Sequence, residues 1–162
     1  MPEHVDAAKF APLFCAGVTV FNSIRRMNIG YGETVAIQGL GGLGHLAVQY
    51  ANKFGFRVVA ISRGADKEDF ARQQGAHEYI DTNKSEPGAA LEKLGGAALI
   101  ATTNPNGREI PELLRGLGPM GKLLILSCKG ITSLALEQHK TELTVLIIVP
   151  GDVTINPELM VS

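Results

Sequence analysis

The chain has no tryptophan, and aromatic residues make up 6% of it. It has only two cysteines, Cys15 and Cys128. They are too few and too far apart for a disulfide framework or a CxxC site, which makes a reducing, cytoplasmic setting the expectation. Charge of one sign is lacking too. Fifteen Lys and Arg stand against sixteen Asp and Glu, a formal net charge of −1, which argues against an electrostatic nucleic-acid binder. No apolar run approaches the roughly 18 residues a membrane span requires. The opening "MPEHVDAAKF" has acids and no apolar h-region, so no signal peptide is expected. What remains is 162 residues, 45% of them hydrophobic. That is enough to bury a core without staples, and one domain over 1–162 is expected.

Short β-rich runs alternate with amphipathic stretches. "TVAIQ" (34–38), "RVVAIS" (57–62), "HEYID", "AALIATT" and "GKLLILSC" read as five strands. "GGLGHLAVQYANKFG", "DKEDFARQQGA", "EPGAALEKLGG" and "GREIPELLRGLG" read as helices between them. Such alternation predicts an α/β fold, a Rossmann-like doubly wound parallel sheet in three layers. Ahead of the first strand, residues 6–27 read as helical, with Phe10, Leu13, Phe14, Val18, Phe21 and Ile24 near helical spacing. Pro12 predicts a helix beginning near it, or two short helices. Residues 129–162 break the pattern as an atypical tail. Within it "LTVLIIV" (143–149) is a strand candidate, an edge strand or a helix end.

The strongest motif lies between the first strand and the helix after it: Gly39-Leu40-Gly41-Gly42-Leu43-Gly44. Gly39, Gly41 and Gly44 make G-x-G-x-x-G. The first glycine permits a tight turn, the second a close approach to a pyrophosphate, and the third close helix–strand packing. The helix N-terminus offers free N–H groups to phosphates. The strand–loop–helix setting is what distinguishes a dinucleotide site from a glycine-rich turn. His45 next to the loop reads as a packing or capping residue.

A dinucleotide fold of this kind usually places an acid about 20 residues past the glycines, on the ribose 2′-OH of NAD. Here Ser62 stands there, followed by Arg63, with Lys67 one helical turn on. A serine and a cation accept a 2′-phosphate that an acid would repel. NADP is therefore expected ahead of NAD. Against this, Arg63 and Lys67 can also be read as solvated surface residues, and Asp66, Glu68 and Asp69 are close enough to pair with them.

Taken together, "APLFCAGVTVFNSIRR", "GETVAIQGLGGLGHLAVQYA" and "GKLLIL" resemble the zinc-dependent alcohol dehydrogenases of the medium-chain dehydrogenase/reductase superfamily, over about residues 5–127. The resemblance implies hydride transfer between an alcohol or aldehyde and a nicotinamide dinucleotide. It implies that Cys15 is a ligand of the catalytic zinc and that Thr19 contacts the nicotinamide region. It also implies that the backbone at the ends of the fourth and fifth strands, at Thr102, Thr103, Ser127 and Cys128, faces the nicotinamide. The other zinc ligands belong in the family to a separate catalytic domain that these residues do not include, while His4, His77 and His139 stand alone. The chain is thus expected to be catalytically incomplete by itself, not to hold zinc tightly, and to carry Cys15 as a buried structural cysteine. Family geometry also implies a homodimer through the C-terminal edge strand. Two alternatives stay open: a zinc-independent quinone reductase-like enzyme, which Cys15 argues against, and a non-catalytic nucleotide-binding module.

Overall fold

Side chains along the strands alternate between two faces, and each face is covered. Val35, Ile37, Val58, Ala60, Leu99, Ala101 and Leu124 point to one cluster, and Ala36, Val59, Ile61, Ile100, Leu123 and Ile125 to the other. This two-sided burial is what a parallel sheet requires. The computed structural model describes residues 6, 10–105 and 107–126, and the backbone of 144–147. Its strands are β1 (Thr34–Gln38), β2 (Arg57–Ser62), β3 (Glu78–Asp81), β4 (Ala97–Thr102), β5 (Leu117–Ile125) and β6 (Thr144–Ile147). They form one six-stranded sheet in the order β3-β2-β1-β4-β5-β6, and every pairing is parallel. β6, within the tail set apart by the sequence, extends the sheet beyond β5.

The first face carries α1 (Ala16–Arg26), α2 (Gly42–Lys53) and α3 (Glu68–Gln73), through Val20, Ile24, Ala47, Val48, Ala51 and Ala71. The second carries α4 (Pro87–Lys93) and α5 (Ile110–Arg115), through Leu91, Ile110, Leu113 and Leu114. The result is the three-layer doubly wound fold. α2, α3 and α4 all stop the same way. Phe56, Ala76 and Gly96 donate their N–H to Ala51, Ala71 and Leu91, closing the six-residue loop of a glycine-terminated helix end. β5 is longer than its sequence suggested. Its register jumps from Ala97↔Leu117 to Leu99↔Lys122, and the intervening bulge places Met120 at φ 57°. From the stem of β5, the Lys122 ammonium donates to the Met27 carbonyl at the end of α1, at 2.6 Å.

Before the sheet, two expectations are corrected. The segment around Pro12 is a 3₁₀ turn, Ala11–Phe14, and the α-helix starts only at Ala16. Its buried residues are Gly17, Val20, Ser23 and Ile24. Of the six apolar residues picked out by spacing, Phe10, Phe14, Val18 and Phe21 are exposed and Ile24 is buried. Cys15, expected to be buried, is exposed, because it sits at the junction of the turn and the helix.

Candidate dinucleotide-binding site

After β3 the chain crosses back to β4, so the strand order reverses between β1 and β4. In sheets of this kind that reversal opens a crevice at the carboxyl ends of the strands, where ligands bind. The glycine loop leaves β1 at this point. Gly39 turns at φ 89°, and a Cβ there would lie 2.5 Å from Thr103 Oγ1. At Gly44 a Cβ would run into the Gly39 carbonyl oxygen. These two glycines are demanded by the protein itself. Gly41 and Gly42 are not. Gly41 has an ordinary φ of −81°, and a Cβ at either position meets no atom within 4 Å. Open space before the first turn of α2, beside the loop, fits a pyrophosphate approaching the helix N-terminus. His45 Nδ1 donates to the Gly41 carbonyl at 2.9 Å, a bracing role for the loop. Leu40 and Leu43 pack against the core from the loop's inner side.

The other lip of the crevice is the end of β4. Thr103 Oγ1 reaches the Gln38 and Gly39 carbonyls at 3.0 and 3.3 Å. Thr102 is 1% exposed and donates to Gln38 Oε1 at 2.6 Å. Gln38 Nε2 in turn donates to Glu109 Oε2 at 2.5 Å, where the Asn104 amide also donates, at 3.0 Å. The side chains of Thr102 and Thr103 are therefore spent on joining β1 to β4. Ser127 and Cys128 lie outside the described residues. This network escaped the sequence reading. Its one signal was Gln38, a polar residue ending an otherwise apolar strand.

At the end of β2, Ser62 is buried and Arg63 is exposed. Among the described residues Arg63 and Lys67 make no ion pair, and Glu68 pairs with Arg72 at 2.8 Å instead. Arg63 lines a cavity of roughly 630 Å³ together with Thr82, Asn83, Arg108, Glu109 and Glu112. Lys67, exposed in the turn before α3, is not on that wall. Arg108 is a second guanidinium that the sequence did not single out. Glu112 Oε1 is buried and has no hydrogen-bond partner. Loops after β2, β3 and β4 thus line one open cavity, with Arg63 and Arg108 on its wall alongside Glu86, Glu109 and Glu112.

Cys15 and Thr19 are one helical turn apart at the start of α1. Among the described residues no three of His, Cys, Asp and Glu come together as a metal site. These residues alone do not make up a zinc centre, and no step through zinc is drawn from them.

A doubly wound sheet with this loop at its switch point defines a dinucleotide-binding domain. Residues 42–156 match the family described as zinc-binding dehydrogenase, and the chain belongs to that family. It is 70% identical over 130 residues to the alcohol dehydrogenase patD of Aspergillus clavatus, covering 80% of this chain and 34% of that protein. It is 63% identical over 127 residues to the alcohol dehydrogenase notN of an Aspergillus species, covering 78% and 38%. The chain thus spans little more than a third of the length of these curated relatives. Among solved structures, the alcohol dehydrogenase of Aeropyrum pernix superposes with a TM-score of 0.80 at 25% identity, covering 98% of this chain and 48% of that one. A Pseudomonas syringae quinone oxidoreductase superposes at 0.81 with 20% identity, covering 93% and 49%. At that identity it shows the shared fold alone.

Proposed function

We propose that the chain is the nucleotide-binding part of an alcohol dehydrogenase that transfers hydride between an alcohol or aldehyde and NADP(H). The observation that carries the dinucleotide reading is the pair Gly41 and Gly42, which no contact among the described residues requires and which border open space at the switch point. Here the chain's own residues bind and orient. Loop and α2 N–H groups receive the pyrophosphate, while Thr103 fixes the loop against β4. NADP is favoured because Ser62 and Arg63, which makes no ion pair among the described residues, stand where an NAD enzyme of this fold carries an acid. When bound, the nicotinamide supplies the hydride chemistry.

Cys15 fits as one donor of a catalytic zinc whose other ligands lie outside the described residues, and Thr19 as a contact to the nicotinamide region. The chain is then a single domain that needs a separate catalytic domain for turnover. A homodimer through β6 and a cytoplasmic location belong to the same reading. Among the described residues no helix is long and apolar enough to cross a membrane.

The test is a titration of NADPH against NADH, by nicotinamide fluorescence at fixed salt. Tighter NADPH binding that Arg63→Ala abolishes is the expected outcome; an NADH preference rejects the NADP assignment. Alcohol oxidation by this chain alone, with zinc added, would overturn its catalytic incompleteness.

A further inference from the structure

The strand that neighbours Ser62 and Arg63 holds their backbone in place. β3 pairs with β2 so that Asp81 lies opposite Ser62 and Tyr79 opposite Ala60. The Tyr79 hydroxyl donates to the Gly64 carbonyl at 2.6 Å. The Gly64 N–H donates to Asp81 Oδ1 at 2.8 Å. Just past β3, the Thr82 N–H donates to the Ser62 carbonyl at 3.0 Å. Both peptide groups of Gly64 and the carbonyl of Ser62 are thus tied to β3, on either side of Arg63. Gly64 itself has φ 89° and ψ 143°, and a Cβ there would collide with Asp66 Oδ1. Such a backbone is left floppy in the absence of external bonds. Asp81 does not stand in for the missing ribose-binding acid. It borders a different cavity from the one that Arg63 lines, and its Oδ1 also accepts the Asn83 N–H at 2.9 Å, an Asx turn.

We infer that Tyr79 and Asp81 are positioning residues for nucleotide choice: they clamp the Ser62–Gly64 turn so that Arg63 meets a 2′-phosphate with its backbone already ordered. A guanidinium on a loose turn would lose ordering entropy on each binding event, and a clamped one loses less. The protonation states suit the roles. Burial above all holds the Tyr79 phenol above its ordinary range, so it stays a donor. The Asn83 and Gly64 N–H groups hold the Asp81 carboxyl below its ordinary range, so it stays an acceptor.

This inference rests on the NADP reading of the site, and one set of titrations separates the two. NADPH and NADH affinities are measured for the full chain and its variants. Tyr79→Phe is expected to weaken NADPH binding roughly three- to tenfold, the worth of one hydrogen bond, while NADH stays within about twofold. Asp81→Ala behaves the same way, and Asp81→Asn, whose amide oxygen still accepts both N–H groups, restores wild-type binding. In an Arg63→Ala background the Tyr79→Phe effect disappears, because the clamp acts through Arg63. Suppose the wild type prefers NADPH and Arg63→Ala abolishes the preference. Then an unchanged NADPH/NADH ratio in Tyr79→Phe and Asp81→Ala, or equal losses for both nucleotides, overturns the clamp alone. A wild type that prefers NADH overturns the NADP reading and the clamp with it.

Discussion

At the scale of single residues, the glycine loop separates two kinds of demand. At Gly44, alanine puts a methyl group into the Gly39 carbonyl, and relieving that overlap shifts helix against strand. Gly44→Ala is expected to cost about 1–3 kcal/mol or more, read as a lower urea midpoint. Gly41→Ala meets nothing and should stay within about 1 kcal/mol of wild type, yet lose dinucleotide affinity because the methyl occupies the space of the phosphates. If both variants lost stability alike, Gly41 would be structural and the opening beside it irrelevant. Asp81 makes a second prediction at this scale. Its folded pKa is depressed by the Asn83 and Gly64 N–H groups. Its contribution is therefore complete above the ordinary carboxylate value, 3.8, and is lost as pH falls through the lowered folded value. Urea midpoints measured downward from pH 5 should fall more steeply in wild type than in Asp81→Asn.

At the scale of elements, the sheet is joined across its switch point by a buried polar bridge, Gln38 to Thr102. Thr102→Val keeps the shape and strands Gln38 Oε1 in the core, at a cost of about 1–3 kcal/mol. The double variant Gln38→Leu/Thr102→Val should cost less than the two single changes summed, and strict additivity would show that the bridge contributes nothing as a pair. The strands themselves were legible. "TVAIQ" and "RVVAIS" coincide with β1 and β2 to the residue, because β-branched runs between glycines and charged turns leave little choice. Helix ends were legible for a related reason, since the glycines at 55, 75 and 95 mark where α2, α3 and α4 close. The bridge was not, because its members are 64 residues apart and only the strand order brings them together. The Tyr79–Gly64 bond was hidden in the same way. Asp81 gave a faint local sign, an aspartate two residues before an asparagine.

At the scale of the whole molecule, the clearest mismatch between pattern and structure lies at the N-terminal helix. Phe14, Val18 and Phe21 look like core by composition, but 68%, 49% and 38% of their surfaces are exposed. Hydrophobic spacing reports that a side chain wants burial; it does not say what buries it. Here the sheet takes only Val20, Ile24 and Met27, and Phe21 settles for edge contact with Tyr50 and a tilted one with Phe54. The exposure of Cys15 follows from the same placement. Between the strand–helix alternation and the glycine loop, the fold class and half of the crevice were readable in advance. The cavity beside Arg63 was not, since it is built by three loops that meet only when the sheet forms.

The ammonium of Lys122 on the Met27 carbonyl gives that N-terminal helix an unexpected standing. Peeling α1 from the sheet would break this bond together with the packing of Val20 and Ile24 against the sheet, so α1 is expected to open together with the strand that carries the lysine. In native-state hydrogen exchange, the amides of Val20 and Ile24 should then open with the same free energy as that of Leu124, as one cooperative unit. Lys122→Met should free the helix to exchange ahead of β5. A segment that precedes the first strand, in the position of a fraying end, would behave kinetically as part of the centre of the sheet.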